Sequence, residues 1–324
     1  MAVKIKKIKK RKGRRSGIVA AVGAFLILAA IVLIVRFHVL DGLFSGCSNA
    51  AGLPNVLPEL PQNGELSVYT LDVGQGSCAL LISPNGRTML IDSGDAEHGA
   101  GTVEMIHALG VETLDIVIGT HPHGDHIGAM PRILREFAIG EYVMPNVPID
   151  CLAQPFVDSL LVSEQIPVKT AWSGDMLIWD RDCTVTILAP VPGCEYSDTD
   201  ANDRSLIIRV EYKSTAFIFT GDATVHSEQL AMFHNEKSLF KADVLTVSHH
   251  GSTTASSVGF LETVNAKYAI ISVGMDNPYG HPDFSILNRL DYTGYNTIRT
   301  DENGWIAAIS DGKEVRITTQ KDSK

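Results

Sequence analysis

Short apolar runs rich in β-branched residues recur from about residue 65 onward, each bounded by Gly, Pro, Asn or Asp. Such runs are typical of buried strands. The predicted strands cover 66–73, 78–82, 88–92, 114–119, 206–212, 216–220, 243–248, 268–273, 297–309 and 314–319. Helical spacing of apolar positions predicts helices over 100–109, 127–137, 153–165, 225–233, 258–264 and 284–290. The elements form two similar halves, which predicts an α/β fold with sheets packed together and helices outside.

A different pattern precedes this body. Residues 16–35 are uncharged over 20 positions. At about 1.5 Å per residue, a helix of this length spans about 30 Å, the thickness of the hydrocarbon core of a bilayer. Nine basic residues precede the run, and the positive-inside rule keeps such residues in the cytoplasm. The pattern predicts a single membrane helix with the following domain outside the membrane.

The predicted organisation therefore has four segments. They are a basic cytoplasmic tail (1–15), a transmembrane anchor or signal (16–36), a linker punctuated by Gly, Pro and Asn (37–64) and one folded domain (65–324). Cleavage as a signal peptide would release the domain. The segment Phe44-Ser-Gly-Cys47 faintly resembles a lipoprotein cleavage box. Secretion and lipid anchoring are therefore alternatives to the membrane anchor.

The charge of the chain divides at the same place. Residues 1–36 hold ten Lys and Arg and no acidic residue, which leaves 17 basic and 37 acidic residues, a formal net charge of −20, in the rest. An acidic body is poorly suited to a tight, non-specific grip on nucleic acid, which relies on Lys and Arg at phosphates. Bound cations can invert the local field, so a nuclease is compatible with this charge.

The densest group of candidate metal ligands follows the strand predicted over 114–119. The segment Thr120-His-Pro-His-Gly-Asp-His126 holds three imidazoles and one carboxylate. An extended His-x-His pair can point both rings to one side, and the glycine after it permits a tight turn. The candidate ligands are His121, His123, Asp125 and His126. These donors suit two adjacent divalent ions.

Polar side chains also follow other predicted strands. They are Asp92, Asp222, His249, His250 and His281. Because strand ends at one edge of a packed α/β domain converge, distant segments can build one site. A carboxylate can bridge two metals, and Asp222 is the candidate for that position.

Seven segments, in order, resemble the metallo-β-lactamase fold superfamily and, more narrowly, the extracytoplasmic hydrolase domain of ComEC-type competence proteins. They are Leu71-Asp-Val-Gly-Gln-Gly76, Leu90-Ile-Asp-Ser-Gly94, Thr120-His-Pro-His-Gly-Asp-His-Ile-Gly128, Asn202-Asp-Arg-Ser-Leu206, Phe219-Thr-Gly-Asp-Ala223, His249-His-Gly-Ser252 and Asn277-Pro-Tyr-Gly-His-Pro282. The resemblance implies an αββα sandwich. The multi-pass membrane channel of ComEC proteins has no counterpart in this sequence, so we do not expect the chain to form a DNA pore.

The resemblance also implies a set of ligands. One metal would be held by His121 and His123, with Asp222 between it and the second metal. The second would be held by Asp125, His126 and His281.

The remaining residues would act around the metals. Asp125 would also serve in catalysis, and His249 or His250 would donate a proton or contact phosphate. The reverse assignment of these histidines and His281 remains open. Asp92 and Asp203 would orient the ligands.

One departure from the superfamily concerns the first metal. The histidine usual between the cluster and the bridging aspartate is missing, and Asp200, Asn202 and Asp203 lie near that place. One ion would then have an oxygen ligand or a weaker hold, or would be a harder ion such as Mn.

The leading hypothesis is therefore hydrolysis of a phosphodiester outside the membrane by two divalent ions, Zn or Mn. Substrates would be DNA, a nucleotide or an envelope phosphodiester such as a phosphocholine. One alternative is a metallo-hydrolase of an ester, lactone or β-lactam, and a second is a non-catalytic metal-bound surface module. The membrane is a partner through the N-terminal helix, and no protein partner is inferred.

Overall fold

The computed structural model describes residue 54, residues 56–147 and residues 151–322. The predicted tail, the anchor over 16–36 and most of the linker lie outside these residues. Among the described residues, no helix is both long and apolar enough to cross a membrane.

The described strands are arranged in two sheets. In chain order the strands are β1 (Leu66–Thr70), β2 (Ala79–Ile82), β3 (Thr88–Ile91), β4 (Thr113–Ile118), β5 (Ala138–Met144), β6 (Val168–Thr170), β7 (Met176–Leu177), β8 (Cys183–Ala189), β9 (Ile207–Tyr212), β10 (Thr215–Phe219), β11 (Val244–Thr246), β12 (Tyr268–Ile271), β13 (Asn296–Arg299), β14 (Ile306–Ser310) and β15 (Val315–Thr319). The first sheet has the order β15-β14-β1-β2-β3-β4-β5-β6 and the second has the order β13-β12-β11-β10-β9-β8-β7.

Helices cover the outer faces of both sheets. The described α-helices are α1 (Gly99–Ala108), α2 (Gly124–Ile127), α3 (Met130–Glu136), α4 (Gln154–Ser163), α5 (Val225–His234), α6 (Val258–Val264), α7 (Phe284–Tyr292) and α8 (Thr300–Asn303). Short 3₁₀ turns cover Ala201–Arg204, Lys237–Phe240 and Ser248–Gly251.

Three apolar layers hold these elements together. Side chains alternate across each strand, so Leu81 and Met89 point into the layer between the sheets, whereas Leu80 and Leu90 point toward the helices of the first half. A third layer packs the helices of the second half on the other sheet. The result is the predicted α/β sandwich, with helices on both outer faces.

Each sheet joins an antiparallel part to a parallel part. Strands β3, β4, β5 and β6 are parallel neighbours in the first sheet, as are β10, β11, β12 and β13 in the second. Because parallel strands end at the same edge, the segments that follow β3, β4, β10, β11 and β12 meet there. Strand β9 is antiparallel to β10, so its first residue lies at this edge too.

Two predicted elements are divided in the structure. The strand predicted over 297–309 is split between β13 and β14, which belong to different sheets. Helix α8 and Gly304, with a φ of 68°, make the crossing between them. The helix predicted over 127–137 corresponds to α3, and its first predicted residue, Ile127, is instead the last residue of the separate helix α2. A proline lies in the first turn of α3. Apolar periodicity does not reveal either break, because apolar residues occur on both sides of each one.

Candidate metal centre

The first group of donor atoms surrounds the oxygen Oδ2 of Asp222. His121 and His123 come from the loop between β4 and α2, and Asp222 follows β10. His121 Nε2 lies 3.1 Å from His123 Nδ1 and 3.6 Å from Asp222 Oδ2. The three residues each offer an atom within 4.8 Å of the others. We call them group A.

The second group surrounds the other oxygen of Asp222. His126 Nε2 lies 3.0 Å from Asp222 Oδ1 and 3.3 Å from His250 Nε2. His250 Nε2 lies 3.3 Å from Asp125 Oδ2. Asp125, His126, Asp222 and His250 offer atoms within 4.8 Å of one another, and we call them group B. Asp222 belongs to both groups and turns one oxygen toward each.

The spacing of these atoms fits divalent cations. Bonds of about 2.0–2.2 Å at tetrahedral angles hold neighbouring ligand atoms about 3.3–3.6 Å apart. The closest donor pairs in the two groups are 3.0 to 3.6 Å apart. In addition, Asp222 Oδ1 is buried, and its 3.0 Å approach to His126 Nε2 lacks the geometry of a hydrogen bond, although buried polar atoms normally have a partner. A cation bound by group B would satisfy this oxygen.

Burial and mutual charge set the protonation of these residues. Burial raises the pKa of Asp222, but the neighbouring histidine rings, His126 first, outweigh burial and hold the pKa well below its usual value. Burial lowers the pKa of His121 well below its usual value, so its ring is neutral and keeps a free lone pair. At His126, burial is outweighed by Asp222 and Asp92, which raise the pKa well above its usual value. Because a histidine binds metal in its deprotonated state, binding at this ring releases a proton.

Asp92 orients the ligand loop from beneath. This carboxylate is fully buried and has a φ of 59°. It accepts hydrogen bonds of 2.8 Å from both the backbone N–H and the hydroxyl of Thr120. Its Oδ2 also lies 2.7 Å from His126 Nδ1. The contact fixes the ring so that Nε2 faces Asp222, which is the orienting position expected for Asp92.

The structure brings His250, rather than His281, into group B. His249 and His250 both have left-handed backbone angles, with φ of 53° and 54°. This turn buries the His250 ring and places its Nδ1 2.8 Å from the carbonyl oxygen of Ser272. His281 lies on a partly exposed loop outside both groups, with its ring 5.8 Å from that of His249. The geometry thus favours the reverse assignment that the sequence leaves open.

His249 lies at the side of group A without belonging to it. Its Nε2 is 3.6 Å from Asp222 Oδ2, and its Nδ1 is 2.8 Å from the hydroxyl of Thr254. The side chain keeps 22% of its surface exposed. This position suits contact with a substrate bound beside group A.

Asp203 does not reach either group. Its carboxylate accepts a hydrogen bond from the hydroxyl of Thr224, lies 2.9 Å from His226 Nδ1 and accepts one of 2.9 Å from the backbone of Ser197. These partners all lie on the loop before β9 and at the start of α5. Asp203 therefore ties that loop to the helix instead of orienting a ligand as predicted.

The family described as the Metallo-beta-lactamase superfamily matches residues 71–186. Relatives include ComE operon protein 3 of Bacillus subtilis, 30% identical over 80% of this chain and 35% of that protein. Another is Competence protein ComA of Neisseria gonorrhoeae, 31% identical over 78% of this chain and 34% of that protein. The chain belongs to the metallo-β-lactamase superfamily. It spans about a third of the length of these relatives and resembles their ComEC-type domain.

Superfamily membership makes the chain a metallo-hydrolase by family, with candidate metal-binding residues in groups A and B. A solved structure with the same fold is CmlA, a diiron beta-hydroxylase from Streptomyces venezuelae. It is 14% identical, covers 75% of this chain and 53% of its own, and has a TM-score of 0.50. This likeness shows the fold alone. The superfamily fold therefore supports metal binding, and the reaction has to be argued from the site.

The superfamily-like Gly74-Gln-Gly-Ser77 segment braces the ligand loop. The backbone N–H of Ser77 donates a 3.1 Å hydrogen bond to the carbonyl oxygen of Asp125. A Cβ on Gly76 would collide with the same carbonyl, so only glycine permits this approach. The hydroxyl of Ser272, after β12, donates to the carbonyl oxygen of Gly76 at 2.8 Å. The segment thus joins the two sheets beside group B.

Several supporting residues carry no sequence signal of their own. Thr120, Thr254 and Ser272 contact ligand rings or His249 through ordinary hydroxyl and carbonyl groups. Glu228 is fully buried in α5 and accepts backbone hydrogen bonds of 2.6 and 2.9 Å from Ser256 and Ser257. A helical Glu is most often exposed, so only the structure identifies it as the support of the loop that follows His250.

Changing Glu228 to Gln is expected to alter how the free energy of unfolding depends on pH. Burial raises the Glu228 pKa to about 7 from 4.5, against the hydrogen bonds of Ser257 and Ser256 and the attraction of Arg289. A raised carboxyl pKa contributes stability below its unfolded value that is lost as pH rises through the folded value. Wild type should therefore lose about 3 kcal/mol relative to E228Q as the pH rises across this range.

Urea unfolding of both proteins at about pH 5 and about pH 8, each in chelator, measures this difference. The matched control is Glu262→Gln, at an exposed position on α6, which should not change the pH dependence. An E228Q stability that stays parallel to wild type across the range would contradict the prediction.

Proposed function

We propose that this domain hydrolyses phosphodiesters with two divalent ions, Zn or Mn, held by groups A and B. The shared carboxylate of Asp222 supports two ions rather than one, because each of its oxygens faces a separate set of histidine nitrogens. Bound together, such ions supply a hydroxide near neutral pH and offset the charge of a phosphoryl group.

The observation that carries the choice of bond is the pair of imidazoles beside the ligands. His249 and His281 lie outside both groups, with ring centres 5.8 Å apart, and both remain partly exposed. Two potential hydrogen-bond donors at this place suit the anionic oxygens of a phosphodiester better than a neutral acyl group. They favour a phosphodiester over an ester, lactone or β-lactam.

The remaining residues would donate a proton or orient the ligands. His249 Nε2 faces the centre beside Asp222, while Thr254 holds Nδ1. Burial lowers the pKa of His249, so the ring would act as proton donor to the leaving oxygen once the negative charge of a bound phosphodiester raises that pKa. Asp92 keeps His126 oriented, and the segment that contains Gly76 keeps Asp125 in place. These contacts hold the donors in position before substrate arrives, which limits the reorganisation needed for catalysis.

We also propose the setting of the reaction. Residues 16–36 would anchor the chain in the cell membrane, with the domain outside. The substrates would then be extracytoplasmic phosphodiesters: DNA, nucleotides or envelope phosphocholine esters. The similarity to competence proteins supports DNA or its fragments, whereas the acidic body favours short substrates over long duplexes.

Phosphodiester hydrolysis can be tested on the full-length protein in detergent. The panel is bis-p-nitrophenyl phosphate, a DNA oligonucleotide, a phosphocholine ester and a β-lactam, each with Mn or Zn. We expect metal-dependent cleavage of a diester, abolished by chelation. His249→Ala should lower kcat about 10²-fold or more while the bound metal remains.

The control is His234→Ala, because this side chain contacts Cys194 rather than either group. It should leave both metal content and rate unchanged. Turnover of the β-lactam alone, or no turnover of any diester by protein that holds two ions, would overturn the proposed function.

A further inference from the structure

Groups A and B are unequal in their protein donors. Group B has four residues, whereas group A has only His121, His123 and Asp222 among the His, Cys, Asp and Glu residues that the structure describes. Divalent ions in proteins commonly take four or more ligands. A carboxamide oxygen is a further possible donor, and one lies beside group A.

Asn202 is placed and buried like a ligand. It lies in the 3₁₀ turn just before β9, at the sheet edge where group A is built. Only 8% of the residue is exposed, and its Oδ1 is buried without a hydrogen-bond partner. Buried carbonyl oxygens rarely remain unpaired, and an ion is one of the explanations for such an atom.

The carboxamide of Asn202 lies next to His249, at the side of group A. Its Nδ2 lies 3.5 Å from His249 Nε2, and that nitrogen lies 3.6 Å from Asp222 Oδ2, the oxygen that faces group A. The terminal torsion of Asn has a broad, roughly two-fold preference, and its oxygen and nitrogen exchange places on a half turn. That half turn places Oδ1 where Nδ2 lies, 3.5 Å from His249 Nε2 and at the side of group A.

The neighbouring aspartates are already engaged. Asp203 is held by Thr224, His226 and the backbone of Ser197. Asp200 accepts a 3.0 Å hydrogen bond from the backbone N–H of Asn202. These contacts shape the turn that buries Asn202 and leave its carboxamide as the available oxygen donor of this segment.

We propose that Asn202 Oδ1 is a metal ligand of group A, and that it makes this group selective for a harder ion than group B. The inference rests on the two-metal part of the proposed function and not on the phosphodiester. Amide oxygens suit Mn, whereas histidine nitrogens suit Zn. Group A, with two nitrogens and two oxygens, therefore holds Mn better relative to Zn than it would with a third histidine.

The test measures metal binding directly. The full-length protein is stripped of metal, titrated with Mn or Zn by calorimetry and analysed for bound metal. We expect two ions in wild type, one of them bound about tenfold or more weakly in Asn202→Ala, with the other unchanged. In Asn202→His, the affinity of this same site for Zn relative to Mn should rise by a similar factor. Melting in chelator checks that each variant folds.

A matched variant separates ligation from support of His249. Thr254→Val removes the other partner of that ring, so a purely supporting role predicts that it acts like Asn202→Ala. We expect Thr254→Val to keep both metal affinities. Unchanged Mn and Zn affinities in folded Asn202→Ala, or a single ion in wild type, would overturn the inference. If Asn202→Ala loses the Mn-binding step but the wild-type protein cleaves no diester, the ligand role of Asn202 stands and the proposed phosphodiesterase function is wrong.

Discussion

Replacing Asp222 with Asn is expected to abolish binding of at least one ion and to lower phosphodiester hydrolysis on the order of 10³-fold or more. This carboxylate alone belongs to both groups. Asparagine keeps the volume but replaces one oxygen by an NH₂ group, which has no lone pair for a cation. The substitution should remove several kcal/mol of charge stabilisation in the transition state. Because about 1.36 kcal/mol corresponds to a tenfold change in rate, this loss gives a rate reduction on the order of 10³-fold.

Metal content by elemental analysis and kcat/KM on bis-p-nitrophenyl phosphate measure the two effects of D222N together. Asp198→Asn is the matched control, because that side chain is 91% exposed and contacts only Arg204 among the ion pairs of the described residues. It should change neither quantity. A D222N protein that binds two ions as tightly as wild type would show that Asp222 does not bridge them.

The fold could be predicted from the sequence because burial dictates the pattern of the strands. The apolar run 114–119 overlaps β4 and the run 243–248 contains β11, and the chemistry-bearing segments follow both strands. The convergence of His121, Asp222 and His250 then follows from parallel strands ending at one edge. This convergence can be predicted from the order of strands and helices along the chain, which the sequence pattern indicates.

The choice between the late histidines could not be predicted in the same way. Both His250 and His281 follow strands at the correct edge. Only the left-handed backbone at His249 and His250 turns one ring inward, and non-glycine residues adopt that conformation rarely. Tertiary contacts such as the hydrogen bond to Ser272 maintain this backbone conformation. The apolar periodicity of the sequence does not predict such contacts.

The position of Asp203 shows a second limit. A carboxylate next to a predicted ligand segment is an obvious candidate for orienting a ligand. Its direction, however, depends on which neighbour offers donors, and Thr224 and His226 do so from the start of α5. The adjacent Asn202 has the less conspicuous side chain, yet its Nδ2 lies 3.5 Å from His249 Nε2 beside group A. Residue type alone therefore does not show which of these two neighbours lies nearer the ligand groups.

Removing the imidazole of His250 should have a much larger effect than removing that of His281. His250→Ala deletes a donor of group B whose Nε2 lies 3.3 Å from both Asp125 Oδ2 and His126 Nε2. We expect this variant to lose the group B ion and to hydrolyse diesters on the order of 10³-fold more slowly. His281→Ala should keep both ions and lose about tenfold or less, because a partly exposed substrate contact contributes about 1 kcal/mol.

Metal titration distinguishes these outcomes without reference to the substrate. The binding step of the group B ion should disappear in His250→Ala and persist in His281→Ala. The lower activity of His281→Ala should appear as a higher KM. His250→Gln offers a test with a longer polar side chain and should not restore the step, since an amide oxygen is a weaker ligand for borderline ions than imidazole. If His281→Ala loses an ion while His250→Ala keeps two, the loop after β12 closes over the centre when metal binds and supplies the ligand.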